Sequence, residues 1–377
     1  MKYEYIVCFD DVLRQEYGLA KEFFYNLLRE PIRQATGLNI GSCPTFRHYE
    51  HNLKPTFSLE RFLSFFNSPW PANYHEIPPR AQAYLLENLR PKTLIVSYEM
   101  PPWLEKFCVA ENIDFIDIRI SPLRFARDLY ICLKSNNVNF MKKFQKKEVL
   151  QEEFLLEASL MTAYGRYKPQ PSLEDNALIY VGQTAKDASL VDAKGAFISI
   201  EHIDTKQSFH DQNIYYLPHP YAKDHAKKEF ETLKTLCKRI SFLDENIYNL
   251  LCFSGSLEFI AISSSVLQEA PYFGKKGTFL HGPICPLSGK NRYIQLHAQT
   301  IMQPIFWHNL LTPSAPKPKL KKLPLLQPNM LRQLHNAWWG YARFVSEFRY
   351  IDKEAFWLSG GNTLKQEIDS LSQRIAP

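Results

Sequence analysis

The chain has 377 residues, 45% of them hydrophobic and 22% charged, which excludes global disorder and leaves room for two domains. Its net charge of +6 suits an anionic substrate or membrane surface. That charge is too small to argue for nucleic acid, and no RNP signature, zinc-finger spacing or long basic tract is present. Residues 3–9 (YEYIVCF) read as a buried strand. Residues 12–36 follow with a helical pattern that puts Leu13, Tyr17, Ala20, Phe23, Phe24 and Leu27 on one side. A stretch rich in proline and aromatics around 44–80 reads as loops with short helices. Then Leu94–Ser97 (LIVS), a helix beginning at Pro101–Cys108 and a strand over Ile113–Ile120 form a strand–helix–strand unit, which implies a parallel sheet with a right-handed crossover.

Residues 142–168 read as one helical stretch that ends at Gly165. The KPQPS segment inside Tyr167–Asp175 marks a domain boundary. The second half restarts with a strand at Ala177–Val181, and further strands are expected at 214–217, 239–243, 250–253, 257–262 and within 271–280. A helix is expected over 224–238, and another opens in the serines at 263–265. Residues 313–328 are rich in proline and lysine, and 329–347 and 362–374 read as helices. The pattern predicts an α/β protein of two Rossmann-like domains facing a central cleft, a GT-B-type layout that periplasmic binding proteins and epimerases share. The expected divisions are 1–170, 171–345 and a C-terminal helical segment 346–377 that packs back on the first domain. Ligands of open parallel sheets lie at the carboxyl ends of the strands, so the cleft is the expected site.

The seven cysteines show no CxxC spacing and point to reduced, buried thiols. The N-terminus, MKYEYIVCFDD, carries acids where a signal peptide needs an apolar stretch. No run approaches the roughly 18 apolar residues of a spanning helix. The expectation is a cytoplasmic protein, at most peripheral at the inner membrane through Lys317, Lys319, Lys321 and Lys322. There is no GxGxxG after a strand, no P-loop, no HExxH and no GxSxG. Asp114 and Asp117 are separated by two residues, so there is no DxD. No metal and no cofactor is therefore expected.

Three clusters carry chemistry. Gly182–Ser189 (GQTAKDAS) directly follows the first strand of the second half and would bring Gln183, Lys186 and Asp187 to the cleft; a capped turn explains the same residues. In Leu217–Tyr221 (LPHPY), Pro220 holds His219 extended at a strand end, where it could meet a phosphate or carboxylate; a surface-loop histidine is the plainer reading. Ser263, Ser264 and Ser265 follow a strand and open a helix, which makes either an anion site or an ordinary cap.

An HP pair followed by serines at a later helix start resembles bacterial sialyltransferases that bind CMP-sugars. The Gln-xxx-Asp-Ala-Ser block resembles the bacterial β-Kdo transferases of capsule and lipopolysaccharide assembly, and SYEMP (97–101) and FIDIRISPLRFARDL (115–129) are similar to segments of that group. The resemblance covers residues 94–130 and 178–280. It implies transfer of Kdo from CMP-Kdo onto a surface glycan or lipid-linked glycan acceptor, with retention of configuration. It also implies roles. His219 and Pro220 would contact CMP, Ser263, Ser264 and Ser265 its phosphate, and Gln183 the sugar. Asp187 would be the nucleophile and Glu99 the base, with Asp117 in reserve. Arg119, Arg124 or Lys186 would meet the donor carboxylate. The competing expectations are an inverting sialyltransferase or other CMP-nonulosonate transferase, and a non-catalytic sugar-binding assembly protein. A nucleotide-sugar epimerase would bind UDP instead.

Overall fold

The computed structural model describes residues 2–14, 18–167, 170–203, 209, 213–220, 222–312, 323–326 and 330–332. The strands are β1 (Tyr5–Cys8), β2 (Ile40–Gly41), β3 (Thr93–Tyr98), β4 (Phe115–Ile120), β5 (Tyr130–Lys134), β6 (Ala177–Val181), β7 (Ile214–Leu217), β8 (Ile240–Phe242), β9 (Leu257–Ala261), β10 (Lys276–Phe279) and β11 (Ile294–His297). They form two sheets, in the orders β11-β5-β4-β3-β1-β2 and β10-β9-β6-β7-β8.

In the first sheet β2, β1, β3 and β4 are parallel, while β5 runs antiparallel to β4 and β11 antiparallel to β5. Every residue of β3 and β4 is buried. Burial on both faces is why β3 reads as a nearly unbroken apolar run, whereas β4 buries Asp117 and Arg119 between its apolar residues. The second sheet is parallel throughout. Read from β8, its order is third, second, first, fourth, fifth, the strand order of a Rossmann half. The order reverses between β6 and β9. Two Rossmann-like domains thus face one another in a GT-B-type arrangement.

The chain crosses between the domains more than once. β11 lies in the first sheet, and the helices Ala298–Ile301 and Pro304–Leu311 that follow bury Ile301, Trp307 and Leu310 in the first core. The expected second domain of 171–345 therefore ends earlier, because residues 294–312 return to the first sheet. The expected helix over 142–168 is two helices, Val138–Gln145 and Gln151–Gly165. The later one buries Phe154, Ala158 and Met161 in a cluster with Ile179, Leu250, Phe259 and Leu267 of the second half. Residues 250–253, read as a strand, belong instead to a short buried helix, Ile247–Leu251, and the residues that end it. Its first turn is capped by the Asn246 side chain accepting from Tyr248 N at 2.8 Å. A short apolar run cannot by itself choose between strand and helix, and here the cap decides. The lysines at 317, 319, 321 and 322 and the helices expected beyond 332 lie outside the described residues.

The domains pack closely where they meet. Leu123, Phe125 and Tyr130 of the first share one apolar cluster with Ala177, Val181 and Tyr248 of the second. Gly195, with φ +75°, lies so near the first domain that an added Cβ would come within 2.7 Å of Ala72 Cα. All seven cysteines are buried and none is in a disulfide. Among the described residues no helix is long and apolar enough to cross a membrane.

Candidate functional site

The reversal point of the second sheet is built from the bottom upward. Glu229 is buried and accepts from Tyr180 Oη at 3.0 Å and Tyr216 Oη at 2.8 Å. Burial pushes its carboxyl up from the ordinary value, while the two phenols and a backbone hydrogen bond from Gln183 oppose the shift. Gly182 passes directly over this group. A Cβ there would sit 2.8 Å from Tyr216 Oη and 3.0 Å from Glu229 Oε2, so the exit from β6 needs a residue without a side chain.

Gln183 then bridges the two central strand ends. Its Oε1 accepts from Ser263 N at 2.7 Å and its Nε2 donates to Ser263 Oγ at 3.1 Å. Ser263 Oγ donates in turn to Ser189 Oγ at 2.8 Å. Ser263 is thus committed to an internal bracket, and of the three serines it is Ser264 and Ser265 that line the adjoining cavity. Asp187 caps the single 3₁₀ turn Ala188–Leu190, accepting from Ser189 N at 2.8 Å. The capped-turn geometry considered for this residue is present, and its half-buried carboxylate remains at the mouth of the loop.

The cavity has a volume of about 630 Å³, within the range of small-molecule sites of about 300–1,000 Å³. It opens at the carboxyl ends of β6, β7, β8 and β9. His219 and Pro220 form one wall, Ser264 and Ser265 another, and Arg124 enters from the first domain. Burial lowers the His219 pKa, and the Asp187 carboxylate opposes that shift. The Asp187 carboxylate is therefore close enough to act on the His219 imidazole. Lys186 is exposed. Sequence reasoning missed Phe242, Asp244, Tyr248 and Glu269, which also line the cavity. Reading 250–253 as a strand hid Tyr248, and no motif marks Glu269.

On the first-domain side, Glu99 ends β3 with φ +54°, a left-handed conformation unusual for a residue with an unbranched acidic side chain. Its neighbours hold it there. Tyr98 N donates to Asp10 Oδ1 at 2.6 Å, Glu99 N to Ile118 O at 2.9 Å and Met100 N to Asp117 Oδ1 at 2.8 Å. Arg14 Nη1 lies 4.0 Å from Glu99 Oε2. Residues held in sparsely populated backbone regions concentrate at functional sites.

Two candidates lie away from this cavity, in an internal network. Arg119 is 5% exposed and donates to Asp117 Oδ2 at 2.8 Å, Tyr293 Oη at 2.9 Å and Met100 O at 2.6 Å. Burial acts against its charge, but Asp117 together with Tyr293, Tyr74 and Cys285 outweighs that effect and holds its pKa well above the ordinary value. It braces the Glu99–Met100 corner and does not line the cavity. Asp117, named as a reserve base, is 1% exposed and accepts from Arg119, Met100 and Tyr293. A carboxylate so committed and so buried is closed to solvent and does not line the cavity. The cause in both cases is local pairing: residues two apart in β4 point to the same face and neutralise each other.

Tyr74 links the two halves of the site. It packs against Ala188 and Val191, directly beside Asp187. Burial raises its pKa first of all, and the charges of Arg119, Asp11, Arg14 and Glu99 act on it as well. Trp70 meets Phe197 of the second domain edge to face, at a centroid distance of 5.5 Å. Tyr74 thus touches the turn that Asp187 caps and feels the charge of Glu99. Among the described residues, no group of three or more His, Cys, Asp and Glu side chains is arranged to hold a metal ion.

No family model and no curated protein sequence matches this chain. Among solved structures, the chain is similar to KpsC of Thermosulfurimonas dismutans, a beta Kdo 2,7 transferase, at 16% identity and a TM-score of 0.33; the match covers 68% of this chain and 89% of that one.

Proposed function

We propose that this protein is a glycosyltransferase that moves Kdo from CMP-Kdo to a bacterial surface glycan with retention of configuration. The observation that carries this reading is the 630 Å³ cavity at the strand-order reversal of the second domain, which Arg124 of the first domain also lines. Open α/β sheets take nucleotides at that position.

In this reading His219, Ser264, Ser265 and Arg124 surround the donor phosphate and the sugar carboxylate. The leaving group is a phosphate, which needs charge stabilisation more than a strong acid. Asp187 attacks the anomeric carbon of Kdo, and the bond to the phosphate oxygen breaks with its electron pair leaving on CMP. The acceptor hydroxyl then attacks the same carbon, its proton passing to Glu99 while the bond to Asp187 breaks. Gln183, fixed at both ends of its amide by Ser263, borders the sugar position.

A thermal-shift panel with CMP, UMP, UDP and GDP tests the donor. A ligand that binds only the folded state at a hundred times its Kd adds about 2.7 kcal/mol of stability. The expected result is a rise with CMP above the other three. A rise with UDP alone would replace this reading by a UDP-sugar enzyme, and no rise at all would remove it.

A further inference from the structure

We infer that Glu269 is a positioning residue of the donor cavity, which fixes the first-domain segment Arg124–Phe125 so that the Arg124 guanidinium reaches an anionic group of the donor. This deepens the CMP-sugar reading and rests on it. Glu269 belongs to the second domain, in the helix Val266–Glu269, and is 1% exposed. Its Oε1 accepts from Phe125 N of the first domain at 2.9 Å and from Tyr248 Oη at 3.3 Å. The N–H of Arg124 also donates to this carboxylate, and the Arg124 charge acts on it.

The segment is held from other directions as well. Arg332 donates to Ala126 O at 3.3 Å and to Asp128 O at 2.9 Å. Arg127 N donates to Glu157 of the helix Gln151–Gly165. The backbone of 124–128 is therefore pinned on several sides, while the Arg124 side chain lines the cavity beside Ser265 and Glu269. A neutral acceptor would satisfy two N–H groups at lower cost than a buried carboxylate. A carboxylate also sets the charge around Arg124, the cationic side chain that the described residues of the first domain contribute to the cavity.

The test uses the full chain, with CMP and free Kdo as separate probes in calorimetric titrations. The Arg124→Ala variant should weaken one probe by about tenfold, the size of one charge-assisted hydrogen bond. Loss with CMP identifies the phosphate as the partner of Arg124, and loss with Kdo the sugar carboxylate. Glu269→Ala should weaken the same probe to a similar degree, and the double variant should be no weaker than Arg124→Ala alone, because residues acting through one another are not additive. Glu269→Asp, which withdraws the carboxylate by one methylene, repeats the test if the alanine variant does not fold. Folded Glu269 variants that bind both probes like wild type, or losses that add to that of Arg124→Ala, would overturn the proposal. So would a lowered melting temperature with unchanged affinity. If wild type binds neither probe, the CMP-sugar reading fails first and this inference falls with it.

Discussion

Single side chains at this site have both a structural and a chemical duty, and the geometry separates the two. Asp187 caps a turn through one oxygen. Replacing it with alanine removes cap and carboxylate together, at about 1 kcal/mol for the cap. Asp187→Asn retains an acceptor oxygen and so should keep the fold and CMP binding while abolishing transfer. Substantial turnover in that variant, measured with donor and acceptor, would reduce Asp187 to a cap. Glu269 gives a prediction in pH. Burial raises its pKa from 4.5 to about 7, so the folded state holds a proton that the unfolded state has released. Stability must therefore fall as pH rises from about 4.5 through about 7, by roughly 3 kcal/mol at about 1.4 kcal/mol per unit. Glu269→Gln removes the titration. Urea denaturation should show wild type losing stability relative to the variant between pH 5 and pH 8. A difference independent of pH would mean that Glu269 does not titrate in this window.

At the level of elements, the loops leaving β6 and β9 behave as one unit. Gln183 ties them together, Glu229 supports them from below and Gly182 allows the approach. Gly182→Ala would force Tyr216 Oη, Glu229 Oε2 or the loop itself to move, since a Cβ has only 2.8 Å and 3.0 Å to those atoms. Overpacking of this kind costs about 1–3 kcal/mol. Denaturation should register that loss, and CMP titration should show weakened binding because Gln183 and Ser263 shift with the loop. Wild-type values for both would show that the β6 exit has slack. The same elements show why sequence reading worked where it did. β3 and β6 were legible because strands buried on both faces are largely apolar, and β4 and β9 because an apolar residue returns at every second position. β5 and β11 went unrecognised, since Tyr130–Lys134 and Ile294–His297 carry no periodicity that announces an edge added to a sheet from far along the chain.

For the whole molecule, the two domains are not independent bodies joined by a linker. They share an apolar cluster, and residues 294–312 complete the first domain after the second has been built. A chain truncated after Arg292 loses β11 and the buried Trp307, and should fail to give a soluble, cooperatively folding first domain. The intact chain should unfold in calorimetry as one main transition. Two well-separated transitions, or a truncated chain with native-like melting, would contradict the shared core.

The sequence alone determined the α/β class, the restart of strand and helix near residue 177, and the clusters around Gln183, His219 and Ser263 that the fold gathers at one sheet reversal. These are local properties: an apolar run, a glycine or proline, or a cap sets them within a few residues. The tertiary structure decided what depends on partners far along the chain. It took Arg119 and Asp117 out of the cavity by pairing them with each other and with Tyr293. It divided the three serines between bracket and cavity, and it brought Glu269 to Phe125 across 144 residues of sequence. Whether a charged side chain faces a ligand or an internal partner is settled by which groups satisfy it on burial, and those groups are not its neighbours in the sequence.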